Sequence, residues 1–252
     1  MTAAPTRAWR LVLEHIETDL LDGRLGPGDH LPPERELAAS LGVGRSSVRE
    51  ALRVLEVMGL IRTATGSGPA SGAIVVATPS GGMSALLRLQ VAARGFPLPD
   101  VVSTRIILET AVVGTLAQES APELTSVHEV LDAMDAGTLT PAEFLALDAQ
   151  LHVALAEASG NLVVAAMMAG LRTAIESYVR AGAERVPDWD VTADRLRHEH
   201  RDIVAAVERR DAASARRLVH EHITGYYAQT GLSAAPALPA ELPAELPAEL
   251  PA

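Results

Sequence analysis

The 252-residue chain contains no cysteine and no lysine, and only 3% of its residues are aromatic. Without cysteine there is no disulfide framework, no thiolate metal site and no cysteine nucleophile. So few aromatic rings argue against a sandwich or barrel core built on Tyr, Phe and Trp. No apolar run reaches membrane-spanning length. The opening stretch, Met1-Thr-Ala-Ala-Pro-Thr-Arg-Ala-Trp-Arg10, lacks the apolar centre of a secretion signal. What is abundant is Ala, Leu and Val, within a 48% hydrophobic fraction, and that composition favours helix. The expectation is a soluble, cytoplasmic, mainly α protein, long enough for two domains.

Charge is spread unevenly. The formal net charge is −11, and all 21 basic residues are arginine. Residues 1–78 carry 8 Arg against 9 acidic residues, a net of −1, whereas the remaining 174 residues carry 13 against 23, a net of −10. An acidic chain is a poor partner for DNA as a whole, but the near-neutral first part, with its arginines clustered, is not.

Hydrophobic spacing predicts a helix over Ala8–Asp22, with Leu11, Leu13, Ile16, Leu20 and Leu21 on its apolar side. Gly23-Arg-Leu-Gly-Pro-Gly28 ends it. Pro32-Pro33 opens a short helix, Glu34–Leu41, and Gly42-Val-Gly44 turns into a third, Arg45–Met58. In that third helix Val48, Ala51, Leu52, Leu55 and Met58 share one face. Two short strands, Leu60–Ala64 and Ala73–Ala77, flank a Gly/Ser/Pro loop. After a linker, seven helices are expected near 83–93, 100–119, 122–136, 141–158, 162–183, 193–209 and 212–229. Ser120-Ala-Pro-Glu123 and Thr140-Pro-Ala-Glu143 both fit the capping box, and Asp211 fits an N-cap. From Leu238 the chain repeats Leu-Pro-Ala-Glu, and a proline every fourth residue forbids a regular helix, so a disordered tail is expected. The predicted organisation is therefore a first domain over 1–78, a linker over 79–82, an all-helical domain over 83–230 and a tail over 231–252.

Helix, turn, helix and two strands around a glycine loop is the order of a winged helix-turn-helix. Arg45, Arg49 and Arg53 sit four apart and form one stripe, with Ser46 and Ser47 at the helix N-terminus, the end that enters a major groove. Arginine reaches a guanine edge with two hydrogen bonds, and serine can hold phosphate. The plainer alternative is a solvated face with Glu50 and Glu56 as ion-pair partners.

The segments Gly26-Pro-Gly-Asp-His-Leu-Pro-Pro-Glu-Arg-Glu-Leu-Ala38, Leu41-Gly-Val-Gly-Arg-Ser-Ser-Val-Arg-Glu-Ala-Leu52, Leu55 and Gly59-Leu-Ile61 resemble the DNA-binding domain of GntR-type bacterial transcriptional regulators. The resemblance spans about 60 residues. It implies operator contacts by Arg35, Arg45, Ser46, Ser47 and Arg49, with the wing glycine Gly66 dipping toward the minor groove. The wing departs from the family's compact Gly-x-Gly turn, because Gly66-Ser-Gly-Pro-Ala-Ser-Gly72 is longer.

The second part holds five of the eight histidines between residues 152 and 222. Asp148 and His152 are four apart on one helix face. The last two helices form a hairpin about Arg209–Ala212. His200 and His222 lie nine and eleven residues from its turn, each roughly 15 Å along its helix at the α-helical rise. Leu196, Ile203, Val204 and Val207 surround His200 in phase, as Ala215, Leu218 and Val219 surround His222, so both point inward. His198 and His220 sit among charged or polar neighbours and point to solvent. The interior face thus presents Asp148, His152, His200 and His222. Three neutral imidazoles and a carboxylate suit Zn, Ni or Mn; three histidines held by ordinary hydrogen bonds are the alternative.

Arg105-x-x-Leu-Glu109, Asp148-x-x-x-His152, Ala158-Ser-Gly-Asn161, Glu199-His200-x-x-Ile203, Asp211 and His222 are similar to the ligand-binding domain of FadR-type GntR regulators, the FCD type, over about residues 83–230. The resemblance implies a divalent cation held by the Asp and three His, which helps to bind a small carboxylate effector. It also places Arg105 in the effector cavity, unless Arg105 only pairs with Glu109, and Asn161 at the cavity's edge, unless it only turns the chain. The fold implied is a winged helix-turn-helix of three helices and a two-stranded wing, followed by an all-α bundle. The function implied is a homodimeric regulator of double-stranded operator DNA, with no membrane partner. In it an effector shifts the balance of DNA-competent states and lifts repression. Two other functions compete. One is a metal sensor whose ion is the effector. The other is a metallohydrolase, for which no His-Glu-x-x-His and no paired acids supply a general base. Met167 and Met168 read as core filler, Trp189 as a residue packed on a loop, and His15, His30 and His128 as histidines without partners.

Overall fold

The computed structural model describes residues 8–64, 72–76, 81–93, 95–136 and 139–231. Gly66 and most of the wing loop, the first half of the 79–82 linker, and the Leu-Pro-Ala-Glu repeats lie outside the described residues. The chain divides into two compact units. The first comprises residues 1–93 with 169–171, and the second comprises 94–168 with 172–252.

The first unit holds α1 (Ala8–Leu21), α2 (Glu34–Leu41), α3 (Arg45–Val57), β1 (Ile61–Ala64), β2 (Gly72–Val75) and α4 (Gly82–Ala92). Pro33 at the N-cap and Gly42 in a left-handed C-cap (φ 63°) bound α2, which is how so short a helix starts and stops cleanly. Val12, Ile16, Leu37, Val48, Ala51, Leu52 and Leu55 are buried together with Ile61 and Val75, so α1 to α3 close over one face of the sheet. The apolar side of α1 is shifted from the expected one: Val12 is fully buried, whereas Leu11 and Leu21 are exposed. Met58, expected on the core face of α3, caps the helix and is half exposed.

The strands pair antiparallel from Ile61↔Val75 to Ala64↔Gly72. A third segment joins them. His30 bridges Ile74, Leu31 N–H donates to the Ala73 carbonyl at 2.8 Å, and Val75 N–H donates to the Asp29 carbonyl at 2.9 Å. Nothing in the sequence marked residues 29–31 as sheet, because one bridge residue has no periodicity to read.

The second unit is all helical: α5 (Leu98–Leu116), α6 (Thr125–Met134), α7 (Pro141–Ala158), α8 (Leu162–Ala183), α9 (Trp189–Glu208) and α10 (Ala212–Thr230). Thr140 and Glu143 form the expected capping box of α7, and Asp211 accepts from Ser214 N–H to cap α10. The expected box at Ser120–Glu123 does not form. Instead α6 begins at Thr125, whose N–H donates to Glu123 Oε1 at 2.9 Å. Asp188 caps α9 and starts it four residues earlier than expected. Trp189, in its first turn, packs edge-on against Phe144 with centroids 5.8 Å apart rather than lying on a loop. α10 packs along α5 and forms a hairpin with α9, while α7 lies against α5. Those four helices carry every residue of the cluster described next.

Candidate metal centre and nucleic-acid interface

Asp148 and His152 project from α7, His200 from α9 and His222 from α10, and all four side chains are almost completely buried. Their ligand atoms lie within 4.8 Å of one another. The hairpin brings His200 Nε2 and His222 Nε2 to 3.3 Å. Asp148 Oδ1 stands 3.1 Å from His200 Nε2, 3.9 Å from His152 Nε2 and 4.0 Å from His222 Nε2. Two donors of a tetrahedral zinc site, each about 2.0–2.1 Å from the ion, stand about 3.3 Å apart. The four atoms are thus spaced much as the corners of a cation site.

A second ring of carboxylates lies behind the imidazoles. Glu109 on α5 puts Oε2 2.5 Å from His152 Nδ1. The two atoms are within hydrogen-bond reach, although poorly aligned. Glu199 Oε2 lies 2.8 Å from His222 Nδ1. Acceptors on the Nδ1 side favour the tautomer that turns the Nε2 lone pair inward. His152 Nε2 is left buried with no hydrogen-bond partner, a situation that costs about 1–3 kcal/mol unless something satisfies it. The inward Nε2 atoms of His152 and His222, beside His200 Nε2 and the Asp148 carboxylate, form a nest that a cation would fill, and the donor set fits a divalent transition metal.

Protonation agrees with this. Burial pushes the His222 imidazole down to about 4, with His200 adding to the shift and Glu199 opposing it. Burial, then the charge of Arg105, also lowers His152. Burial by itself would raise Asp148, but its contact with His200 and the basic side chains around it, Arg105 among them, outweigh that, and its carboxyl lies well below the usual range. Near neutral pH His152 and His222 are therefore neutral and Asp148 is ionised, the forms that bind metal.

Arg105 pairs with a carboxylate and also borders a cavity. Its Nε lies 2.5 Å from Glu109 Oε1 in a fully buried ion pair, and the same residue lines a small cavity with Asp148, His222, Tyr226 and Leu196. Its Nη2 is buried and lacks a hydrogen-bond partner, as does the Tyr227 hydroxyl. Asn161 is the N-cap of α8. It is exposed, its Oδ1 accepts from Val163 and Val164 N–H at 3.1 Å each to cap α8, and it is not among the residues lining that cavity. His220, expected in solvent, is half-buried, while His198 is exposed as expected. His15 pairs with Asp19 and His128 with Glu208, so two of the three histidines expected to lack partners have them.

In the first unit, Arg35, Arg45, Ser46 and Arg49 are exposed and Ser47 is partly so, all at the N-terminal edge of α3 and the start of α2. Their acidic partner is neither Glu50 nor Glu56. Glu34 Oε2 on α2 lies 2.9 Å from Arg49 Nε and 3.7 Å from Arg45 Nη2. Glu56 is occupied by Thr63, whose N–H donates to it at 3.0 Å. Glu34 was missed because its partner lies across the turn, where no i,i+4 rule applies. Glu109 and Glu199 were missed as companions of the cluster for the same reason.

An exposed arginine-edged second helix of a helix-turn-helix and a helical unit around a buried Asp/His cluster define a class: a DNA-binding regulator with a sensor domain. Residues 10–69 match the gntR family of bacterial regulatory proteins, and residues 100–225, half the chain, match the FCD domain. The chain belongs to the GntR family, in its FCD-containing branch; it is a ligand-responsive, DNA-binding transcriptional regulator. The metallohydrolase alternative falls with that assignment.

Among its relatives, the HTH-type transcriptional repressor NanR of Cronobacter sakazakii is 28% identical over 230 residues, covering 86% of this chain and 83% of that protein. The NanR of Citrobacter rodentium is 27% identical over 226 residues, with the same coverage. A Streptococcus agalactiae GntR structure shares the fold at a TM-score of 0.52 and 20% identity, over 86% of this chain and 98% of that one. Among the described residues no helix is long and apolar enough to cross a membrane.

Proposed function

We propose that this regulator is a repressor, that it reads double-stranded operator DNA as a homodimer through residues 1–78, and that a small carboxylate effector releases it from the operator. In this reading Arg35, Arg45 and Arg49 reach bases or phosphates, Ser46 and Ser47 hold phosphate, and Gly66 in the wing approaches the minor groove. Two copies of α3 read half-sites about one helical turn apart. The repressor sign is supported by the name its relatives carry.

Asp148, His152, His200 and His222 would hold a divalent ion, Zn, Ni or Mn. The ion would supply positive charge for an anion and leave the protein's own Arg105 to pair with it. The observation that carries this reading is the convergence of four buried donor atoms beside the buried guanidinium of Arg105.

The adjacent cavity is only about 10 Å³, room for roughly one water. An effector must widen it. A ligand that binds the widened state better than the narrow one shifts the population toward it, which is what a switch requires.

The test is a thermal-shift screen of small carboxylates with and without Zn²⁺, Ni²⁺ or Mn²⁺, followed by operator binding. Stabilisation by a carboxylate only with metal, accompanied by loss of DNA binding, is the expected result. DNA release on chelation alone would favour the metal-sensor reading. Stabilisation by no cation would remove the metal centre from the account.

A further inference from the structure

Glu109 is placed where the two halves of the sensor site meet. One of its oxygens, Oε1, lies 2.5 Å from Arg105 Nε, and the other, Oε2, lies 2.5 Å from His152 Nδ1. All three side chains are buried, so no water competes for either contact. Arg105 and Glu109 sit one turn apart on α5, and His152 reaches them from α7. Glu199, the other carboxylate behind the cluster, differs in one respect. It pairs with Arg195, which in turn donates to Gln229 at 2.7 Å, and neither lines the cavity.

We infer that Glu109 is a positioning residue that couples the cation site to the anion site, because it divides a single carboxylate between the imidazole that faces the ion and the guanidinium that faces the effector. This inference rests on the metal reading above and specifies how it is regulated.

The coupling follows from electrostatics. While Arg105 holds Oε1, it withdraws electron density from the carboxylate and weakens it as an acceptor for His152. An anion that pairs with Arg105 loosens that hold. Glu109 is then a stronger partner for the Nδ1 proton, His152 becomes the more basic at Nε2, and cation affinity rises. Linkage makes the effect reciprocal, so a bound cation raises affinity for the anion.

The test is a titration of the full-length chain with Co²⁺ alone, by competition with a chromophoric chelator, on the wild type and on the variants E109Q, R105M and R105M/E109Q. The visible absorption of bound Co²⁺ serves as a second readout, since it reports ligand geometry and does not follow fold stability. E109Q is expected to weaken Co²⁺ binding about 10- to 100-fold and to alter the spectrum. R105M is expected to tighten binding several-fold. R105M should tighten binding clearly less on the E109Q background than in the wild type, because the part of the Arg105 effect that passes through Glu109 is then gone and only its direct charge on the site remains.

If R105M alone fails to fold, its carboxylate being left unpaired, the doubly neutral variant keeps the comparison with E109Q. Unchanged affinity and spectrum in E109Q overturn the inference while leaving the metal reading intact. An R105M effect of the same size with and without Glu109 overturns it as well. A wild-type chain that takes up no Co²⁺ overturns both.

Discussion

His200 and His222 meet nitrogen to nitrogen, 3.3 Å apart, across the hairpin of α9 and α10. The two residues are 22 positions apart in sequence and belong to different helices. Their Nδ1 sides are not equivalent: that of His222 faces Glu199, and that of His200 is buried without a partner. Between two nitrogens so placed there is room for at most one proton, and a cation resolves the contact more completely than a hydrogen bond does. Four consequences of this architecture can be measured.

Removing the metal should destabilise the protein. At a free Zn²⁺ concentration a hundred times its dissociation constant, binding contributes about 2.7 kcal/mol. Chelation should therefore lower the melting temperature of the wild type by several degrees. It should change His200→Ala little, and elemental analysis should find that variant nearly metal-free. Full zinc occupancy in His200→Ala would rule out His200 as a ligand.

Arg49→Ala should weaken specific operator binding by about 1–3 kcal/mol and relax preference at one base position, if the side chain reads a base edge. Glu34→Gln frees both arginines from their carboxylate and should raise affinity for unrelated DNA more than for the operator. Gel-shift titrations on both DNAs separate these effects. An Arg49→Ala protein with unaltered sequence preference would confine that residue to phosphate.

Thr140→Ala should lower stability by about 1 kcal/mol, the usual cost of a lost N-cap. The partner carboxylate of Glu143 is held below its ordinary value by the backbone and side chain of Thr140. A lowered folded-state value means that its contribution is present above the ordinary range, near 4.5, and is lost as pH falls through the depressed value. The gap in melting temperature between wild type and variant should therefore narrow as the pH is taken below 4. A gap that persists there would mean that the carboxylate does not take part in the box.

Gly114→Ala tests how closely α5 and α10 must approach. An added Cβ would fall 2.3 Å from Arg216 Nε. The obstacle is the far end of an exposed, flexible side chain, and alanine gains about 1 kcal/mol over glycine in a helix. Thermal denaturation should show no loss. A marked fall would mean that Arg216 is fixed on that glycine and that the spacing of these helices depends on it.

Much of this was legible in the sequence. Thr140 and Glu143 announced the start of α7, and Pro33 and Gly42 framed α2. The phase of Leu196, Ile203 and Val207 turned His200 inward. Each is a local rule acting within one helix or one turn. Local rules failed at Glu123, where a matching pattern lost to a different start, and at Val12, where Leu11 was placed on the apolar side and the fully buried valine beside it was passed over. His30 fell outside them because a single bridge carries no pattern.

The sequence alone determined the order of helices, the caps that bound them, the arginine edge of α3 and the set of four donors, because periodicity, capping and hairpin arithmetic reach no further than one element or one turn. Only the tertiary structure decided which carboxylates stand behind those groups: Glu34 beside Arg45 and Arg49, Glu199 behind His222, and Glu109 between His152 and Arg105. Charge pairing across packed helices depends on how their faces are rotated against each other, and no spacing along a single chain records that rotation.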